Sequence, residues 1–187
     1  MTERFEGLGY TDALPLGFER LARLPDGATL AGIVLEDQQV LVADASLDEQ
    51  RPHQEKKSEE EPELAEDLQR LEFKVNVLIQ LDARLLNRAA RLPAVRSIRF
   101  HAQGLEWRLD DEEVQPGVGL VRLYVSRYFP QPLVLPGRIA GVYDDGEGRW
   151  VRFEFEGLSP LVIDLLERMI FRHHRRLVAG TRAAPRS

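Results

Sequence analysis

The chain has 187 residues, 43% of them apolar and 30% charged, which suffices for one well-cored domain plus an extended appendage. A net charge of −6 and a pI near 5.3 argue against a nucleic-acid partner, because such binding rests on a basic surface that neutralises phosphates. The absence of cysteine excludes disulfides, thiol catalysis, cysteine-based zinc sites and iron–sulfur clusters, and no run of about 18 apolar residues offers a membrane span.

Met1 to Tyr10 carries Glu3 and Glu6 where a secretory signal would be basic and then apolar, so a cytoplasmic protein is expected. Residues 1–45 are read as N-terminal strands belonging to the main domain. Ala28 to Leu35 and Val40 to Ala43 are its apolar runs, separated by the polar Glu36-Asp37-Gln38-Gln39 as a turn. Residues 46–61 are acidic and polar with almost no apolar side chains, the composition of a linker.

Residues 62–92 carry a heptad stripe of Leu64, Leu68, Leu71, Val75, Leu78, Asp82, Leu85, Ala89 and Leu92, spaced alternately four and three. Pro62 suits a first helical position, Glu63, Glu66 and Asp67 complement the helix dipole, and Pro93 ends the helix at Leu92. A helix of this length spans about 45 Å at 1.5 Å per residue. Such a stripe predicts a homo-oligomer. Ile79, Leu81 and Leu86 stand where a two-stranded coil places Glu or Lys, and Phe73, Val77 and Leu81 add a second apolar flank. A stripe this wide predicts a tetramer rather than a dimer. Asp82 interrupts the seam: it either pairs with Lys74, Arg84 or Arg88 of a neighbour and sets register, or reaches water at the rim.

Residues 93–180 turn to short β segments at Val95–Phe100, Leu105–Leu109, Leu120–Tyr128, Leu133–Val142 and Trp150–Phe155. Gln103-Gly104, Gln115-Pro116-Gly117 and Asp144-Asp145-Gly146-Glu147-Gly148 supply the turns. Ser159-Pro160 then caps a helix through Leu161, Leu165, Leu166, Met169, Ile170 and His173, with Gly180 as its stop and 181–187 as a tail. The helix is expected to cover one open end of a barrel.

The run Ser97-Ile98-Arg99-Phe100-His101-Ala102-Gln103-Gly104-Leu105-Glu106-Trp107, the Pro116-Gly117 turn, the hairpin from Pro132 and Trp150-Val151-Arg152-Phe153-Glu154-Phe155 resemble the PilZ domain. The resemblance implies a mainly β fold with long helices. It combines a six-stranded antiparallel β-barrel with the heptad-repeat helix and a C-terminal helix, in a bacterial receptor domain for cyclic di-GMP. That family's ligand chemistry uses an Arg-x-x-x-Arg segment and an Asp/Asn-x-Ser/Ala-x-x-Gly turn. Aligned on Gly104, this chain has Arg99 and His101 at the other two motif positions, so only the glycine remains. Arg84 to Arg88 and Arg172 to Arg176 match the arginine pattern, but inside helices.

No Ser/His/Asp grouping, phosphate loop or metal spacing is present, so no catalytic or metal-binding residue is assigned and no cofactor is expected. His173-His174 are adjacent and point to different helix faces, and the acids in the turns read as solvated. The basic C-terminal stretch with Arg168, Arg172, Arg175 and Arg176 reads as a solvated helix end, or as a patch for an anionic partner. The expected function is a non-enzymatic signalling adaptor in a cyclic di-GMP network, with an unidentified protein partner and weak or lost ligand binding. Two alternatives stay open: a true receptor using Arg91, Arg96 or Arg99, and a scaffold unconnected with second messengers.

Overall fold

Alternation of apolar and polar residues downstream of Pro93 builds a barrel. The computed structural model describes residues 5, 7–49, 92–110, 113–126, 130–146 and 148–183, with the helical residues 70, 71, 74, 75, 77, 78 and 81. Its strands are β1 (Gly9–Arg20), β2 (Val95–His101), β3 (Gly104–Arg108), β4 (Gly117–Leu123), β5 (Leu133–Asp144) and β6 (Arg149–Phe155). They close in the order β1-β2-β3-β6-β5-β4, with every neighbour antiparallel. Ile98, Phe100, Leu105, Trp107, Val121, Leu123, Val151 and Phe153 fill the interior, so the barrel is a packed core.

One N-terminal strand was legible only as part of a region. β1 pairs with β2 from Gly9 to Pro15 and then with β4 from Leu16 to Arg20, which closes the barrel. Pro15 sits where the partner changes, a place where a missing N–H costs the ladder little.

The two strands expected over residues 28–43 are instead one helix, α1 (Gly27–Glu49), which also takes in the first four residues of the expected linker. The physical reason is twofold. Asp26 caps the helix, its Oδ1 accepting the Thr29 amide at 2.9 Å, and its hydrogen bonds hold the carboxyl below the usual range. The quartet Glu36-Asp37-Gln38-Gln39 holds no Gly, Pro or Asn to turn the chain, so the run continues as helix. Val40 and Leu41 are buried in the common core.

Asp37, read as a turn residue, is fully buried. β6 pairs with β5 only from Gly137 onward, and Asp37 Oδ1 accepts the Val134 amide of β5 at 2.7 Å, completing that edge from a helix. Its Oδ2 is buried without a hydrogen-bond partner, and burial pushes the carboxyl up to about 7, against the opposing Val134 bond.

The C-terminal helix α2 (Pro160–Ala183) begins at the expected cap, the Val162 amide donating to Ser159 Oγ at 3.3 Å. It runs past Gly180, the expected stop. A glycine within a helix costs only about 1 kcal/mol and ends it only where the backbone turns left-handed, and Gly180 has no positive φ. Val162, Leu166, Met169 and Ile170 face inward, and α2 packs on α1, β1 and β2. The His173 ring stacks on Tyr10 at 3.9 Å between centroids, and burial raises the Tyr10 hydroxyl. Asp44 of α1 faces Arg172 and Arg176, which oppose the upward shift that burial imposes on its carboxyl. The second Arg-x-x-x-Arg match therefore joins two helices of the fold.

Candidate functional site

The short turn at Ala102-Gln103 makes β2 and β3 a tight hairpin with His101 opposite Gly104, which places Arg99 opposite Glu106 on the barrel exterior. β6 continues the row by setting Arg152 opposite Glu106. Arg152 Nε donates to Glu106 Oε1 at 3.2 Å, and both side chains are buried. Arg99 lies 3.8 Å from the other Glu106 oxygen. One carboxylate thus bridges two guanidiniums in a sheltered position, where charge-assisted bonds are strong and an unpaired charge is costly.

The β5–β6 hairpin completes the arrangement. Asp144 Oδ1 accepts the Gly146 amide at 2.9 Å in a turn that Gly146 and Gly148 permit with positive φ. That geometry directs Asp145 back over the sheet, where its carboxylate accepts Arg99 at 2.5 Å and Trp150 Nε1 at 3.1 Å. The expectation of solvated turn acids fails for Asp145, whose side chain is largely covered. Arg99 also donates to the Tyr143 hydroxyl at 3.3 Å and stacks on the Trp150 ring at 3.8 Å. The guanidinium at the first motif position is therefore held by a carboxylate, a phenol and an indole from the same chain.

The remaining motif positions are covered from the N-terminus. A Cβ on Gly104 would collide with the Phe5 ring and the Phe153 carbonyl, so this glycine serves the close approach of β3, β6 and Phe5. Phe5 also lies 5.2 Å from the His101 ring and 4.5 Å from the Arg152 guanidinium. His101 Nδ1 is buried without a hydrogen-bond partner, and desolvation lowers its pKa, helped by Arg152 and Arg99 against Glu106. A cleft of about 580 Å³ remains beside them, lined by Phe5, Tyr10, Arg99, His101, Glu106 and His174. Glu106, Arg152 and Phe5 were not singled out from the sequence, and Asp145 was read only as a solvated turn acid. Counting outward from a turn at Ala102-Gln103 places Glu106 opposite Arg99, whereas the Gln103-Gly104 turn read from the sequence would have set Arg99 against Arg108.

Of the predicted assembly face, Leu71, Val75, Leu78 and Leu81 are helical and exposed, Leu71 by 58% and Leu78 by 64%. Val77 on the second flank is exposed too, and Leu92 is exposed and no longer helical, as Pro93 requires. Leu64, Leu68, Ile79, Asp82, Leu85, Leu86 and Ala89 lie outside the described residues, as do Arg84, Arg88 and Arg91. Among the described residues no group of acids and histidines could hold a metal ion, and no helix is long and apolar enough to cross a membrane.

The family model of the atypical PilZ domain, described as a cyclic di-GMP receptor, matches residues 41–183. The chain belongs to this family. PilZ domains are binding and signalling domains, and the six-stranded antiparallel barrel with its C-terminal helix is the architecture expected of this one. A crystal structure of a pathogenic protein from Xanthomonas campestris aligns over 92% of this atypical PilZ chain and 90% of its own, at 26% identity and a TM-score of 0.68. That protein is described as a new tetrameric PilZ domain self-assembled via an unusual helical bundle. No curated protein matches the chain.

Proposed function

We propose that this atypical PilZ protein is a cytoplasmic, non-enzymatic signalling adaptor that works as a homotetramer assembled through residues 62–92, with cyclic di-GMP binding weak or lost. The carrying observation is the commitment of Arg99. A guanidinium that must grip a phosphate or stack on a guanine is already bonded to Asp145 and Tyr143 and stacked on Trp150. Recruiting it would break these bonds and leave buried Glu106 with less positive charge nearby, a cost that ligand contacts must first offset. Phe5 over Gly104 further restricts the approach to the turn.

The assembly half of the reading draws on exposed Leu71, Val75 and Leu78 at heptad spacing, with exposed Leu81 flanking them, all in helical residues. Such a row has no business in water. The Xanthomonas protein, tetrameric through a helical bundle, is consistent with that use.

Calorimetric titration of the full-length protein with cyclic di-GMP tests the ligand half. Binding weaker than about 100 μM is expected; micromolar or tighter binding, which corresponds to about −8 kcal/mol, overturns the reading and makes the chain a receptor that spends Arg99 on its ligand.

A further inference from the structure

α2 has an outer stripe that its packing does not use. Val162, Leu166, Met169 and Ile170 face the body of the protein, so the opposite side of the helix is free to be polar, as it is at Arg168 and Arg175. Leu161 and Phe171 share that side and are each exposed by 53%. Phe171 also forms one wall of a groove of about 570 Å³ between α2, the β2–β3 turn and the segment leading into β1, the size of a ligand pocket. Leu8, Ala102 and Ile170 supply the rest of its apolar surface, Leu8 itself being 45% exposed. An exposed aromatic ring beside a concave apolar surface is the arrangement of a contact in which a few anchors carry most of the binding.

We infer that this groove docks a segment of a partner protein in which a bulky apolar side chain stands beside acidic residues. The inference rests on the adaptor reading above and gives it a surface. Charge selects the occupant. Arg168 and Arg172 line the groove, and Arg175 lies 6.0 Å from the Phe171 ring. In α2 the arginines at 168, 172, 175, 176 and 182 stand against Asp164 and Glu167 alone, in a chain whose net charge is −6. Arg172 already faces Asp44 of α1, so exposed Arg168 and Arg175 are the cations ready for a partner. Arg168 meets Asp164 at 2.9 Å, but in an exposed pair of the kind worth little, which an incoming carboxylate can share or replace. Asp164 and Glu167 also count against an anionic bilayer. A flat lipid surface would bring both acids onto phosphates, whereas a peptide anchored on Phe171 can set its carboxylates against Arg168 and Arg175 only.

The test uses the full-length protein. A random peptide library displayed on phage is selected against it, and the enriched peptides are synthesised with a fluorophore and titrated by anisotropy against the parent, Phe171→Ser and Arg168→Glu. Both positions are exposed, so the variants retain the fold. Enriched sequences should pair an aromatic residue or leucine with Asp or Glu. Phe171→Ser should weaken their binding by about tenfold or more, as loss of a central anchor does. Arg168→Glu should weaken it by about fivefold, and a peptide with Lys in place of one acid should regain the loss. Peptides bound equally by all three proteins overturn the inference and leave the adaptor reading standing, as does a selection with nothing above background. Binding to phosphatidylglycerol vesicles that Phe171→Ser abolishes assigns the stripe to a bilayer and overturns the inference too. A smaller oligomer for Phe171→Ser by light scattering assigns it to a second copy, with the same consequence. The adaptor reading itself falls on a different measurement, the calorimetric titration with cyclic di-GMP.

Discussion

Burying Asp37 sets up a pH dependence opposite in sign to that of an ordinary carboxylate. In the unfolded chain the group titrates near its usual value of 3.8, whereas burial raises it to about 7 in the fold. Between those values the folded state holds a proton that the unfolded state has lost, so stability falls as pH rises, and the whole contribution is present only below the unfolded value. The difference corresponds to about 4 kcal/mol over the full interval, of which about 2 kcal/mol is lost between about pH 5.5 and about pH 8. Asp37→Asn removes the titration and keeps the carbonyl that accepts the Val134 amide. Its amide group meets the space around Oδ2, where nothing accepts, so the variant carries a fixed offset that does not change with pH. Urea unfolding of both chains at the two pH values, at one protomer concentration, isolates the effect, since contributions from other groups cancel in the double difference. The parent should lose about 2 kcal/mol more than Asp37→Asn on going to the higher pH. Parallel stabilities, within about 0.5 kcal/mol, would show that Asp37 is ionised throughout and refute the argument.

Glu106→Ala leaves Arg152 buried without its carboxylate and should cost about 3–5 kcal/mol in chemical unfolding, far more than an exposed pair. A loss below about 1 kcal/mol would mean that water reaches the row freely. Leu71→Asp combined with Leu78→Asp should reduce the oligomer to smaller species in sedimentation while the barrel's circular dichroism and unfolding midpoint persist. An unchanged mass would move the interface off this helix.

The sequence made the barrel's later strands legible because each lies half against a core, so Val151, Phe153 and Phe155 alternate with charged neighbours and glycine turns separate the segments. β1 escaped because it changes partners at Pro15, which interrupts a single alternating pattern. α1 escaped because its outer face is as apolar as its inner one; without the contrast that marks an amphipathic helix, its polar quartet looked like a turn. At the candidate site the motif residues were locatable, but their condition was not. The partners of Arg99 come from a hairpin some 45 residues downstream, a distance that no local pattern spans.

β1 and β2 are adjacent antiparallel strands with Pro15 opposite Val95, yet residues 21–94, α1 among them, lie between the two in the chain. Topologically this stretch is an enlarged hairpin loop. Closing it costs on the order of 2 kcal/mol more entropy than a five-residue turn would, because closure cost grows only with the logarithm of length. That penalty falls on β1, the strand that completes the closed sheet, while β2 to β6 pair through shorter connections. The expected folding order runs from the C-terminal hairpins toward the N-terminus, with β1 docking last. Under the proposed assembly through residues 62–92 the loop is held at its far end by other subunits, so the final closure of each barrel is expected to be faster in an assembled chain than in an isolated one.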